Sequence, residues 1–381
     1  MHSEQTDGTG GPGRRRFLQA LGALGVAGVA GCGGDGSTDT PASTGTATSA
    51  PTDAETATST GTATGTATST ETVTEAATPT ATATDTATST PTSPFTIRNY
   101  PDEYVEVLGS EGPVARYMYP YDPDRRAETF KTYLHVVDPA TEELLTSGPT
   151  GQYDHHRGVF IGWDELTVDG SSYDFWHMDG GERMAHQTFE ELTSFPNTGR
   201  LTSINAWITG NDETVLEETR EYTFHEPPTD DGVVLIDFVS TLEPAGSEVQ
   251  LLGDAEHAGI QYRPHNDVSN NSSAQYTFPA GTIDDSNPGA DQVHAAGNLA
   301  WVGQSHTIRG ETFFVQHMNH PDNPGDTIYS AYRPYGRFGA FFEETIPAGE
   351  SLTVRYRFLI LRGQAPATET LQGYYEAYTG N

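Results

Sequence analysis

The stretch SLTVRYRFLIL, residues 351–361, places Leu352, Val354, Tyr356, Phe358 and Ile360 on one side and Thr353, Arg355 and Arg357 on the other. Such alternation marks a half-buried strand, because successive side chains of a strand point to opposite faces. GVVLIDFVSTL repeats it, with Val234, Ile236, Phe238 and Ser240 opposite Leu235, Asp237 and Val239. Further short runs, among them TYLHVVD, GVFIGW, LTSINAWITG, GIQYRP, ETFFVQHM and GRFGAFFEE, are separated by Gly, Pro, Asn and Asp. Nothing between them keeps a helical period for ten residues, and the one helix expected is TETLQGYYEAY, residues 368–378. Many short strands with turn residues between them predict an all-β fold, a large antiparallel two-sheet sandwich of supersandwich or jelly-roll type. Residues 95–381 read as one domain, since no second linker-like tract interrupts them.

The segment ahead of that domain has a different character. Residues 1–31 read as a twin-arginine lipoprotein signal peptide, with Arg14-Arg15-Arg16-Phe17-Leu18 leading a short apolar stretch. Val29-Ala30-Gly31-Cys32 resembles a lipobox, which makes Cys32 the lipidated residue and the outer face of the cytoplasmic membrane the expected location. Residues 32–94 form a Thr-rich linker that cannot bury enough apolar surface to fold, a disordered stalk. Cys32 is the only cysteine, so the exported domain has no disulfide, no cysteine nucleophile and no thiolate-bound zinc.

Beyond residue 94 the chain carries 44 acidic and 16 basic residues, and only Lys131 is a lysine. That charge repels nucleic acid, which is excluded as a partner, and suits a protein kept hydrated in molar salt, where the Debye length is about 3 Å.

Polar residues gather in a few places. In YDHHRGVFIGW, His155, His156 and Arg157 stand at the mouth of an expected strand. Regular strand geometry turns His155 and His156 to opposite faces, so the two are not expected to meet. The chemistry assigned is acid/base work by His155, His156 or His257, with Arg157 or Arg337 stabilising negative charge. YDFWHMDGGERMAHQTF adds Asp174, Trp176, His177 and His186 as substrate-binding candidates, with the Trp176 indole stacking on a sugar ring. Gln261 and Arg263 share a face after His257, and His320 and Arg333 lie on loops before the final hairpin, all four as binding residues. No helical His-Glu-x-x-His, phosphate loop, dinucleotide fingerprint or nucleophile elbow is present, so no metal or cofactor is assigned. Asp154, Asp174 and Glu256 lack a diagnostic glycosidase spacing, which favours histidine-based chemistry.

Five blocks, DHHRGVFIGW, YDFWHM with AHQTF, GDAEHAGIQYRP, NHPDNPGDTIYSAYRPYGRFGAFFE and LTVRYRFLILRG, resemble in order those of the PmoA-like domain family of unknown function, over about residues 100–365. The resemblance implies a sandwich-like all-β fold in exported proteins that accompany sugar oxidoreductases and carbohydrate-degrading genes. Its blocks emphasise the positions of His155, His156, Arg157, Trp176, His177, His186, His257, His320, Arg333 and Arg337. A true methane-oxygenase subunit is a multi-span membrane protein, whereas nothing after residue 32 approaches about 20 consecutive apolar residues. The expected function is therefore action on carbohydrate by hydrolysis, elimination or epimerisation. A non-catalytic glycan-binding module and a structural envelope protein are the alternatives.

Overall fold

The two strands with the clearest alternation pair with each other. Leu352–Arg362 lies antiparallel to Gly232–Pro244, with Phe358 opposite Ile236 and Tyr356 opposite Phe238. This is a computed structural model that describes residues 94–280, 292–295 and 297–380. The signal peptide, Cys32 and the Thr-rich tract up to residue 93 lie outside the described residues.

The strands form three antiparallel sheets, of ten, eight and four strands. The middle of the ten-stranded sheet runs Tyr133–Asp138, Val159–Trp163, Ala258–Tyr262, Arg337–Phe341 and Ile328–Tyr332. The eight-stranded sheet contains the pair just described, flanked by Glu311–Asn319 on one side and by Thr214–His225, Thr198–Ile208 and Arg183–Ser194 on the other. The all-β sandwich expectation holds, and the small sheet is an addition to it.

The two large sheets meet through an aromatic core. Trp163 faces Trp207 with ring centroids 6.2 Å apart, and Tyr262 faces Phe358 at 6.3 Å. Each fully buried side chain of this size contributes about 1.5–3 kcal/mol. Inside the sandwich Arg220 and Glu218 form a fully buried pair, with Nε and Nη2 of Arg220 each 2.8 Å from a carboxylate oxygen. Ser240 Oγ and Trp207 Nε1 also donate to Glu218, at 2.8 and 2.9 Å. Arg220 Nη1 donates to Thr132 O at 2.9 Å, at the start of a strand of the other sheet.

Alternation weakens after Phe358 because Leu359 and Leu361 are buried too. They pack with Trp301, Phe314 and Met318 beneath the C-terminal helix Thr368–Thr379, which contributes Leu371. No helix among the described residues is long and apolar enough to cross a membrane.

The outer face of the ten-stranded sheet carries the site. Val159, Ile161 and Trp163 join the main core, whereas Phe160 points the other way and packs with Tyr133 and Trp176.

Candidate functional site

Three turns bring four histidines together. His155 lies in a turn ahead of the strand Val159–Trp163 rather than in regular strand, with His156 N donating to Tyr153 O at 3.2 Å. The expectation that His155 and His156 diverge therefore fails, and their rings sit 4.3 Å apart. Gly158 makes this geometry possible. Its φ is +46°, and a Cβ there would lie 2.1 Å from Leu134 O. Gly158→Ala should lower stability by at least about 1–3 kcal/mol, read as a shift in the urea unfolding midpoint at unchanged slope.

The second and third turns share one device. Asp174 Oδ1 accepts the backbone N–H groups of Trp176 and His177, both at 2.8 Å, while Oδ2 holds His177 Nδ1 at 2.9 Å. Asp254 Oδ1 accepts from Glu256 N at 2.7 Å, His257 N at 3.0 Å and His257 Nδ1 at 3.1 Å. An aspartate three residues before a histidine thus caps its own turn and fixes the imidazole. An ionised carboxylate only accepts, so in both dyads Nδ1 carries the proton and Nε2 is left for other work. The His177 ring is 4.9 Å from that of His257 and 4.6 Å from that of His155, and His156 is 6.3 Å from His257.

Electrostatics set His177, in the outer pair with His257, apart from the inner pair, His155 and His156. The hydrogen bond that His177 donates to Asp174 raises the His177 pKa, against the opposing effect of burial. Burial works to raise the Asp174 and Asp254 carboxyls, but the bonds from His177 and His257 outweigh it and hold both below their ordinary value. The inner pair behaves oppositely. Burial, with the charges of Lys131, His177 and His257, pulls His155 down to about 3. Burial, with the charges of His155, Arg337, Arg263 and Lys131, pulls His156 well below its usual value. Asp174→Asn keeps the turn-capping oxygen and removes the charge. It should lower the His177 pKa, as read from the ring proton shifts in an NMR titration.

Asp164, Asp254 and His257 present potential metal-ligand atoms all within 4.8 Å of one another. Asp254 and His257 are already hydrogen-bonded to each other, so the set is a dyad with a neighbouring carboxylate. Burial, then repulsion from Asp254, raises the Asp164 pKa.

Several expected site residues take other parts. Arg157 spends its guanidinium on the backbone: it is fully buried and donates to the carbonyls of Asp154, Glu128 and Ala127 at 2.8, 2.7 and 2.6 Å. Arg337 is buried between Gln261 Oε1 and Ser330 Oγ, each at 3.0 Å, and Gln261 in turn donates to Ala258 O. Arg263 donates to the carbonyls of Pro264 and Tyr335 and to Asn266 and Ser269. Trp176 is fully buried, in edge contact with His156 at 5.4 Å, so its face cannot stack on a sugar. His186 lies in the other sheet, bonded to Ser203 Oγ at 2.7 Å and packed on Phe189. His320 is beside Asp322 and Tyr378 of the C-terminal helix, and the Arg333 guanidinium lies 5.6 Å from the Tyr276 ring. These three are not part of the histidine cluster.

Residues not expected there include Tyr153, Tyr335, Asp254 and Lys131. The half-buried Tyr153 ring lies 4.5 Å from Tyr335 and 6.1 Å from His156, forming an aromatic wall. Tyr335 Oη lies 3.4 Å from His156 Nε2. Lys131 Nζ donates to the carbonyls of His155 and Trp176 at 2.9 and 2.6 Å, which ties two of the site's turns together. The repeated Asp-x-x-His spacing, 174–177 and 254–257, is the sequence signal for the dyads.

Among solved structures the chain is similar to a heparinase III, at 10% identity and TM-score 0.32, covering 72% of this chain and 35% of that one. A heparan sulfate lyase mutant from Pedobacter heparinus matches at 10% identity and TM-score 0.33, covering 71% and 35%. A galactose mutarotase related enzyme from Lactobacillus acidophilus matches at 9% identity and TM-score 0.34, covering 71% and 97%. The chain thus spans about a third of the first two proteins, and likenesses this distant say nothing about what it binds. No curated protein matches the sequence. The family profile that matches is not a PmoA-like one, which corrects the resemblance drawn from the five ordered blocks. It covers residues 104–376, and the chain belongs to a family of unknown function, DUF6807.

Proposed function

We propose that this protein is a carbohydrate-acting enzyme, exported and held at the outer face of the cytoplasmic membrane through Cys32, that moves protons with His177 and His257. The observation that carries the reading is the pair of Asp-x-x-His turns, whose imidazoles face each other at 4.9 Å with both Nδ1 atoms engaged by carboxylates. Two imidazoles held in this way suit one removal and one delivery of a proton. In its unprotonated form, His257 takes a proton from a sugar carbon next to a carbonyl or carboxyl group. The electron pair left behind forms a double bond to the next carbon as that carbon's bond to oxygen breaks; the oxygen leaves with the bonding pair and takes the proton of His177, giving elimination. Alternatively His177 returns a proton to the opposite face of the same carbon, giving epimerisation. Hydrolysis by two carboxylates is disfavoured, since Asp174 and Asp254 are occupied by the histidines.

Carbohydrate is favoured by the wall of Tyr153 and Tyr335 beside the polar nitrogens, which offers an apolar surface for a ring face and partners for hydroxyls. The test incubates the full chain in molar KCl with a panel of glycosides and oxidised sugars and detects products by mass spectrometry. Product should form with the native protein and vanish in the His177→Ala/His257→Ala double variant, which still binds sugar. Undiminished turnover in that variant, or sugar binding by the native protein without product from any of the panel, would overturn the reading.

A further inference from the structure

The inner tier has a charge pattern that proton transfer alone does not require. Lys131, Arg157, Arg263 and Arg337 are at most 2% exposed, and none forms an ion pair with a carboxylate among the described residues. Their hydrogen bonds go to carbonyls, amides and hydroxyls. Buried charges are ordinarily paired, as Arg220 is with Glu218 in the same protein. Three of the four, Arg263, Arg337 and Lys131, lie close enough to His156 for their charges to depress its basicity, and burial, then the Arg157 charge, pulls Lys131 itself well below its ordinary pKa.

Three ring nitrogens close over this floor. His155 Nε2, His156 Nδ1 and Trp176 Nε1 are buried and have no hydrogen-bond partner among the described residues. The rings of His155 and Trp176 lie 4.3 and 5.4 Å from that of His156, so the three belong to one cluster. An indole nitrogen only donates, and the His156 tautomer that accepts from Tyr335 Oη at Nε2, 3.4 Å away, carries its proton on Nδ1. Each such donor without an acceptor costs about 1–3 kcal/mol. The carboxylates of the site, Asp174 and Asp254, are turned to the outer pair and supply no acceptor here.

We infer that the inner tier is an anion receptor, and that the substrate is a sugar acid whose carboxylate lies against His155, His156 and Trp176 over the buried cations. This deepens the proton-transfer reading and rests on it for the substrate being a sugar: a carboxylate neutralised there would acidify the neighbouring C–H that the outer pair attacks. It also explains how an acidic protein concentrates its scarce basic groups, since 16 basic residues stand against 44 acidic ones beyond residue 94.

The test is titration calorimetry on the full chain at fixed molar KCl. The probes are methyl glucuronide and methyl galacturonide, each compared with its uncharged glucoside or galactoside, with potassium sulfate as a separate arm. Each uronide should bind at least tenfold more tightly than its neutral counterpart. Trp176→Phe, which keeps the ring and removes the N–H, and His156→Asn should erase most of that preference, lowering uronide affinity far more than neutral-sugar affinity. Equal affinity for acidic and neutral sugars, a preference that survives both variants, or sulfate binding with no uronide binding would each overturn the inference. Turnover of a neutral sugar that depends on His177 would sink this inference alone. Uronide binding with no product from any sugar would sink the proton-transfer reading and leave the receptor standing.

Discussion

Replacing Glu218 with alanine should cost about 3–5 kcal/mol, the usual penalty for breaking a buried ion pair by removing one partner. The loss comes from what remains. Arg220 keeps its charge in the centre of the sandwich at 0% exposure, and the donors Ser240 Oγ and Trp207 Nε1 lose their acceptor. With total stability of about 5–15 kcal/mol for a typical domain, this is a large fraction. Urea unfolding in molar KCl measures it directly. Adding Arg220→Met to Glu218→Ala should recover part of the loss, because the unpaired cation is then gone. A loss below about 1 kcal/mol in the single variant would show that water reaches the pair.

The second large effect is on turnover. His177→Ala should reduce kcat by about 10²–10⁴-fold, the range expected when a general acid or base is removed. The pH profile separates this role from a structural one. The folded-state pKa of His177 is raised, so its protonated form persists to higher pH and activity that needs it is lost as pH rises through that raised value. The groups facing His177 set that limb: Asp174 and Asp164 raise it, whereas Lys131 lowers it, and the rings of His155 and His257 pack alongside. Asp174→Asn should therefore move the limb to lower pH without moving the urea midpoint by more than the cost of one hydrogen bond, about 1 kcal/mol. An unmoved limb would remove His177 from the proton-transfer pair.

Much of the fold was legible because strand alternation reports burial on one face. Val354, Tyr356 and Phe358 follow the rule. Leu359 and Leu361 break it, because a helix covers the second face and no local pattern announces that cover. The site was legible in its histidines but not in their arrangement. Strand logic separated His155 from His156, and the positive φ of Gly158 sets the turn that unites them. Arg157, Arg263 and Arg337 stand in polar blocks that read as functional. Whether a guanidinium meets a ligand or closes a loop on its carbonyls depends on where the chain returns, as with Ala127 and Tyr335, far away in sequence. Trp176 shows the same limit: its type suggested a stacking surface, and packing on Phe160 left it only an edge.

Lys131, the single lysine, is also the single side-chain amine of the chain, and it is 2% exposed with its nitrogen between two turns of the site. Amine-acylating reagents cannot reach it while those turns stay closed. The native protein thus carries a built-in chemical clock: the rate at which residue 131 becomes acylated reports the free energy of opening the histidine turns, separately from global unfolding. A bound ligand that closes the turns will slow that clock even when no product forms.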